Sequence, residues 1–184
     1  MRSLRTPRLT LAPLTLADAS AIQQAFPHWE IVRMMAGVIP WPYPEDGAYA
    51  YLSTIALPDM VAGKSWHWSL RPHGPSNTLI GVISLMTAKD DNRGFWIARD
   101  WQRQGLMIEA SDAATDYWFD VLGHPVLRVP KASDNIASRR ISERTGARIV
   151  RSEVRQMVAG PMMCDIWEIN RAEWHAYRKT QSRH

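Results

Sequence analysis

Gln102-Arg103-Gln104-Gly105-Leu106-Met107 is the segment whose residue types and order could do chemistry. It follows Gly94 to Ala98, which reads as a strand. It precedes Ala110, Ala113, Ala114, Tyr117, Trp118 and Val121, which mark a helix ended near Gly123 and Pro125. Backbone amides therefore collect at a helix N-terminus, where they lack intrahelical acceptors and the dipole favours negative charge. Gly105 allows close approach of a ligand. The chemistry is anion binding, with a ligand-free tight turn as the plain alternative.

The elements that must position this loop follow from pattern. Leu9 and Leu11 alternate with Thr10 and Ala12 as in a strand, and Thr15 with Asp18 starts a helix carrying Leu16, Ala19, Ile22 and Phe26. Three prolines within residues 40–44 forbid helix there. A second helix from about Glu45 should bury Ala48, Tyr51, Leu52 and Ile55 and stop at Pro58. Strands are expected at Trp66 to Leu70, Leu79 to Met86 and Gly94 to Ala98, with turns at Pro72 to Asn77 and Asp90 to Asn92. The second half adds a short strand at Val126 to Val129 and a helix at Ile136 to Thr145 with polar residues around its start. Final strands at Arg148 to Met157 and Met163 to Ile169 are joined by a Gly160-Pro161 turn. The expectation is one mixed α/β domain over residues 1–184, with no evident linker or repeat.

Residues 94–110, Gly94 to Ala110, resemble the acetyl-CoA motif of the GCN5-related N-acetyltransferase (GNAT) superfamily, whose loop runs Gln/Arg-x-x-Gly-x-Gly/Ala. Gln102 and Gly105 match; Met107 departs from Gly/Ala, and a larger residue there resembles the ribosomal-protein acetyltransferase branch. Asn135-x-x-Ser138-x-x-Ile141-Ser142-x-x-x-Gly146 is similar to the second cofactor motif. Thr6-Pro7-Arg8-Leu9-Thr10-Leu11, the Pro-aromatic segment at 40–44 and the ending Asp165…Asn170-x-x-x-Trp174 resemble the RimJ/RimL-type branch. The resemblance implies a twisted, mostly antiparallel sheet of about seven strands with helices on both faces. Its fourth and fifth strands, Gly94 to Ala98 and Val126 to Val129, would splay apart.

It also implies acetyl-CoA as acyl donor. The pyrophosphate would rest on the amides from Gln104 to Met107, with Arg103 near the phosphates and Arg139 or Arg140 a candidate for the remaining phosphate. Gln102 and Leu106 complete that loop. Unpaired backbone around Phe95, Trp96, Ile97 and Ala98 would hold the pantetheine arm and polarise the acetyl carbonyl. Asn135 would bond the pantetheine amides, or simply cap its helix. Many family members place a tyrosine where Ser142 stands. A hydroxyl at Ser142 or Ser138 could reach the sulfur as general acid, or merely bind cofactor or water.

The base is open. Asp165 resembles a branch residue, yet it could equally hold the last two strands together. Glu30 lies near the expected acceptor loops, and His67 points opposite Trp66 and Trp68. His28, His73, His124 and His175 have turn or surface contexts, and Glu109 suits a helix start for dipole reasons alone. Trp29, Trp41 and Tyr43 flank the proline-rich segment and could wall an acceptor site or pack under a loop. Trp96 and Trp118 read as core, and Cys164 as a half-buried strand residue.

Composition prunes the rest. With 184 residues, 46% hydrophobic and 22% charged, the chain can bury a core without disulfides or a metal. Net charge is +4, mostly arginine, modest for a nucleic-acid binder, and Glu143 and Glu153 interrupt the arginine-rich 139–155 segment. No apolar stretch nears the ~20 residues of a membrane helix. The N-terminal Arg2, Arg5 and Arg8 before Leu9 to Ala21 only loosely imitate a signal peptide. One cysteine favours a reducing, cytoplasmic compartment. No Gly-x-x-x-x-Gly-Lys, Gly-x-Gly-x-x-Gly, His-Glu-x-x-His or Cys-x-x-Cys is present, so nothing calls for a metal or redox group. The expected activity is acetyl transfer to a primary amine, a protein N-terminus or a small molecule, and a homodimer is compatible with the exposed aromatics. The alternative is a non-catalytic acyl-CoA-binding regulatory module on the same fold.

Overall fold

Leu9 and Leu11 of β2 (Leu9–Pro13) are fully buried while the residues between and after them are not, the alternation of a strand with one face on a core. The computed structural model describes residues 1–75 and 77–181, so Ser76 of the expected 72–77 turn lies outside the described residues. β1 (Leu4–Arg5), β2, β3 (Ser65–Pro72), β4 (Gly81–Met86) and β5 (Arg93–Ile97) form one antiparallel sheet in that order. β6 (Val126–Ala132), β7 (Arg148–Met157) and β8 (Gly160–Asn170) form a second, with β8 in the middle. The expected single sheet of about seven strands is thus two antiparallel sheets of five and three strands. They part between β5 and β6, where the splay is expected.

Side chains alternate between two packed faces. Val82 and Trp96 pack with Leu14, Ile22, Phe26, Val32, Ala48 and Leu52. Those residues come from β2 and from α1 (Ala19–Ala25), α2 (Trp29–Val32) and α3 (Gly47–Tyr51) with the turns beside them. Ile83, Leu85, Phe95 and Ile97 pack the other way, with Leu106, Ala110, Trp118, Ile141 and Trp174. These lie on or beside α5 (Leu106–Asp116), α6 (Ile136–Arg144) and α7 (Arg171–Gln181). Helices therefore cover both faces. Trp96 and Trp118 are core, as expected, and Cys164 is fully buried rather than half-buried.

Locally, one expectation holds and three differ. Thr15 and Asp18 form the expected capping box, the Thr15 amide donating to the Asp18 carboxylate at 2.8 Å. Pro58 does not stop its helix. A π-helical turn at Leu52–Ala56 precedes α4 (Leu57–Val61), and Pro58 sits in the first turn of α4, where its missing N–H breaks no bond. In that segment Ala48, Leu52 and Ala56 face the core, while Tyr51 and Ile55 stay exposed. The strand expected to end at Val129 continues to Ala132. The short strand β1 and the helices α2 and α7 are additions the pattern does not announce.

One end of the splay is pinned. Asn92 N–H donates to the Arg128 carbonyl at 2.8 Å, and Arg128 N–H donates to Asn92 Oδ1 at 2.8 Å. Asp90 takes Arg128 and Arg151 at 3.1 Å each, and Glu168 takes Arg128 at 2.8 Å and Arg148 at 2.7 Å. The arginines of β7 are thereby held by carboxylates rather than forming a free basic stripe. Among the described residues no helix is long and apolar enough to cross a membrane.

Candidate functional site

Beyond that pin β5 and β6 share no ladder, and hydrogen-bond phase tells which main-chain groups the gap exposes. Ala98 N–H donates to the Ile80 carbonyl at 2.8 Å and Met86 N–H to the Asn92 carbonyl at 3.0 Å. In an antiparallel ladder bonded pairs alternate. Gly94, Trp96 and Ala98 therefore spend their backbone groups on β4, whereas Phe95 and Ile97 turn theirs toward β6. This narrows the expectation of free backbone over residues 95–98: Trp96 and Ala98 are paired, and Phe95 and Ile97 line the gap. Gln102 Nε2 donates to the Ile97 carbonyl at 3.1 Å, leaving the Ile97 N–H. Across the gap, Ser133 N–H donates to the Met163 carbonyl at 2.8 Å, so by the same alternation Pro130 faces β5. Proline has no N–H to close a ladder there. The opening is written into the residue types.

The loop 102–107 sits beside the mouth of this gap. Arg103 (φ 61°) and Gly105 (φ 75°) both adopt left-handed backbone, which reverses the chain into α5. Glu109 N–H donates to the Gly105 carbonyl at 3.2 Å. Among the described residues the amides of Gln104, Gly105, Leu106, Met107 and Ile108 have no main-chain acceptor. Met107 and Leu106 bury their side chains in the core, so a residue larger than Gly/Ala at 107 still presents its amide.

A clasp holds the loop from behind. Glu109 Oε1 accepts from Thr6 Oγ1 at 2.5 Å and from Arg8 N–H at 2.7 Å, and Arg8 Nε meets Glu109 Oε2 at 2.7 Å. Arg8 also donates to the Gln104 carbonyl at 2.9 Å. Burial pushes the Glu109 carboxyl up, but the bonds from Thr6 and Arg8 outweigh it and hold the group below its ordinary range. Gln104 Nε2 turns back to the Asp100 carbonyl at 2.9 Å. Arg103 is exposed and makes no ion pair among the described residues.

On α6, Asn135 Oδ1 accepts from Ser138 N–H at 3.1 Å, a helix cap that leaves its Nδ2 facing elsewhere. Arg139 donates to the Ser133 carbonyl at 3.0 Å and lies 3.6 Å from Glu143. Ser142 is buried. Ser138 is half-buried, and its hydroxyl takes a hydrogen bond of 2.9 Å from Lys131 Nζ. Asp165 is buried and accepts from Ser152 Oγ at 2.7 Å, so its carboxylate ties β8 to β7.

The aromatic side chains gather on the opposite face. Trp29 and Trp41 are 5.5 Å apart and 43% and 41% exposed. Tyr43 and Trp96 both pack on Phe26 at 5.2 Å, and burial pushes the Tyr43 hydroxyl up to about 12. Glu30 is exposed, 3.6 Å from Arg99. Among the described residues His67 makes no ring contact with Trp29 or Trp41. It is 3% exposed, both ring nitrogens bond serine hydroxyls (Ser84 at 2.6 Å, Ser65 at 2.8 Å), and Tyr51 covers it edge-on. Burial lowers it to about 4. Among the described residues no cluster of His, Cys, Asp and Glu could hold a metal ion.

Sequence reasoning missed the roles of Arg8, Lys131 and Arg93. Lys131 was detectable: it continues the inward phase of Leu127 and Val129. Arg93, buried on β5 with Thr115 at 2.6 Å, is held down to about 10 by burial. Unbonded amides, a cation-lined loop and a strand pair open along one edge suit a ligand that carries phosphates and an extended amide-bearing arm.

Comparison with known proteins agrees. Residues 8–148 match the family model described as the acetyltransferase (GNAT) domain. No curated protein matches the sequence. Among solved structures, the ribosomal-protein-S5-alanine acetyltransferase from Vibrio fischeri superposes with a TM-score of 0.80 at 11% identity, over 95% of this chain and 99% of that one. The ribosomal L7/L12 alpha-N-protein acetyltransferase RimL, solved with coenzyme A, gives 0.76 at 14% identity over 92% and 98%. An acetyltransferase from Agrobacterium tumefaciens gives 0.71 at 21% identity over 93% and 95%. With the loop, the splay and the family model in agreement, the chain belongs to the GNAT family and is an N-acetyltransferase that uses acetyl-CoA.

Proposed function

We propose that this enzyme transfers acetyl from acetyl-CoA directly to a primary amine, a protein N-terminal amine or a small-molecule amine, within a ternary complex. The observation that carries the reading is the run of unbonded amides from Gln104 to Ile108 beside the main-chain edge of Phe95 and Ile97. The amides take the pyrophosphate, with exposed Arg103 adding charge. Asn135 Nδ2 and the strand edges hold the pantetheine arm. An N–H of Phe95 or Ile97 polarises the acetyl carbonyl, a donor fixed before reaction and therefore effective on developing negative charge. Arg139, occupied by Ser133 and Glu143, serves the cofactor end as a secondary contact.

Acceptor binding falls to Trp29, Trp41 and Tyr43, with Glu30 at the rim. The names of the ribosomal-protein acetyltransferases among the structural neighbours favour a protein N-terminus. Ser138, with a cationic partner, is better placed than Ser142 to serve the departing sulfur. Direct transfer suits Cys164, which is fully buried with its thiol pushed up by burial and is no nucleophile. Asp165 and His67 are each engaged by serines, so the acceptor enters as its neutral form and loses its surplus proton to water. The lone cysteine suits the cytosol.

Calorimetric titration with acetyl-CoA, with ATP as control, followed by thiol-release assays on peptide N-termini and small amines, tests this. Micromolar acetyl-CoA binding with turnover of an amine is expected. No acetyl-CoA binding by folded protein overturns the reading. Binding without turnover of any amine would return the chain to an acyl-CoA-binding module.

A further inference from the structure

Lys131 is 4% exposed and projects from β6 into the space between β5 and α6. Its Nζ donates to the Ser138 carbonyl and, at 2.9 Å, to the Ser138 hydroxyl, and it stands 5.6 Å from the centroid of the Phe95 ring. Asn92 pairs with Arg128, and three residues further along each strand Phe95 meets Lys131. The two strands therefore run in the same direction, and Lys131 lies across the opening from the free edge of Phe95. Among the described residues it has no carboxylate at ion-pair distance. A buried ammonium with only neutral partners is costly, and such groups concentrate where chemistry needs them.

Its electrostatic surroundings come from three elements. Arg93 on β5 adds positive potential, and Glu143 on α6 opposes it. Asp165 on β8 is its register partner across the ladder, with its own bond to Ser152. Burial, reinforced by Arg93, pushes the ammonium well below its ordinary range, in the direction of a thiol.

We propose that Lys131, acting through the Ser138 hydroxyl, supplies the proton taken up by the departing CoA thiolate. The inference rests on the cleft being the acetyl-CoA site. The amine nitrogen bonds to the acetyl carbon, the carbon–sulfur bond breaks, and its electron pair stays on sulfur. Sulfur takes the Ser138 proton while Lys131 Nζ passes one to the same oxygen. The surplus proton of the acetylated nitrogen leaves to water, and Lys131 is recharged from solvent. Serine alone is too weak an acid for this step, and the ammonium removes the need for a free alkoxide. Lys131 is thus a positioning and relay residue acting through Ser138.

The test needs no acceptor. Thiolate absorbance of CoA bound to the full chain is followed against pH for the wild type, Lys131→Met and Ser138→Ala. In parallel, the side-chain nitrogen resonances of Lys64, Lys89, Lys131 and Lys179 are titrated with and without CoA. The bound thiol should ionise about tenfold more readily in the wild type than in either variant. The Lys131 titration should move on CoA binding and stop responding in Ser138→Ala. Should Lys131→Met not fold, Ser138→Ala carries the comparison. Equal thiol ionisation in wild type and variants, with CoA bound, overturns the relay alone. Failure of the wild type to bind CoA overturns the site beneath it.

Discussion

In the site we propose, the loop and the splay offer main-chain groups to acetyl-CoA: amides from Gln104 to Ile108 and the strand edges of Phe95 and Ile97. On the opposite face the protein presents side chains, with half-exposed Trp29 and Trp41 tilted against each other and Tyr43 edge-on to Phe26. Main-chain donors are fixed by geometry and tolerate any side chain that folds, as Met107 does by packing its thioether inward. Side-chain walls are free to change with the acceptor. On the proposed function, the first region carries the common cofactor chemistry and the second sets acceptor specificity.

The sharpest way to break that contrast is Gly105→Glu. It places a carboxylate among the amides proposed to bind phosphate and forces a β-carbon into φ 75°. Acetyl-CoA affinity should fall more than about 100-fold in calorimetry, because both charge repulsion and lost amide geometry act at once. A fall of less than about threefold would separate the loop from the cofactor. Next comes the clasp. Glu109→Gln should raise KM for acetyl-CoA about tenfold with a smaller change in kcat, since charge-assisted bonds of ~1.5–3 kcal/mol hold the loop in shape. Its stabilising contribution is present at neutral pH and is lost as pH falls through its lowered pKa.

Trp41→Ala should do the reverse, raising acceptor KM about fivefold and leaving acetyl-CoA affinity within about twofold, the effect of one half-exposed aromatic contact. Steady-state kinetics with both substrates varied separates the two outcomes. His67 gives the smallest effect on turnover and a clear one on stability. It stays neutral in the fold down to about 4, whereas the unfolded chain protonates it near 6.5. The unfolded state thus binds more protons in that window, and stability declines as pH falls from 6.5 toward 4, by up to about 3 kcal/mol from this group. Thermal melts of His67→Gln across that range should be flatter than those of the wild type.

Legibility in the sequence follows the same divide. The place of Gln102-x-x-Gly105 between a strand and a helix is legible from the flanking patterns, while its reading as a cofactor loop comes from the family resemblance. Thr15 with Asp18 is legible as a helix start. Asn135 proved to be a cap, and the capping geometry keeps its side-chain nitrogen available. What escaped was decided at a distance. Pro58 looked like a stop, yet a π turn absorbs it. The splay itself is expected from the resemblance, but its splitting of one sheet into two, with Pro130 offering no N–H toward β5, is not. Tyr51 and Ile55 seemed apolar enough for the core, but the buried stripe runs through Ala48, Leu52 and Ala56. Ser138 for Lys131, Ser152 for Asp165 and Ser84 for His67 come from other elements, whereas Ser65, two residues before His67 on its own strand, bonds the second ring nitrogen.

The central claim is that main-chain groups of alternate phase receive acetyl-CoA, and amide NMR of the isotopically labelled chain tests it most directly. Titration with acetyl-CoA should shift and slow exchange at the amides of Gln104 to Ile108, Phe95 and Ile97, while Trp96 and Ala98, already bonded to β4, stay nearly unchanged. Uniform shifts along residues 95–98, or none at 104–108 with ligand bound, would contradict it.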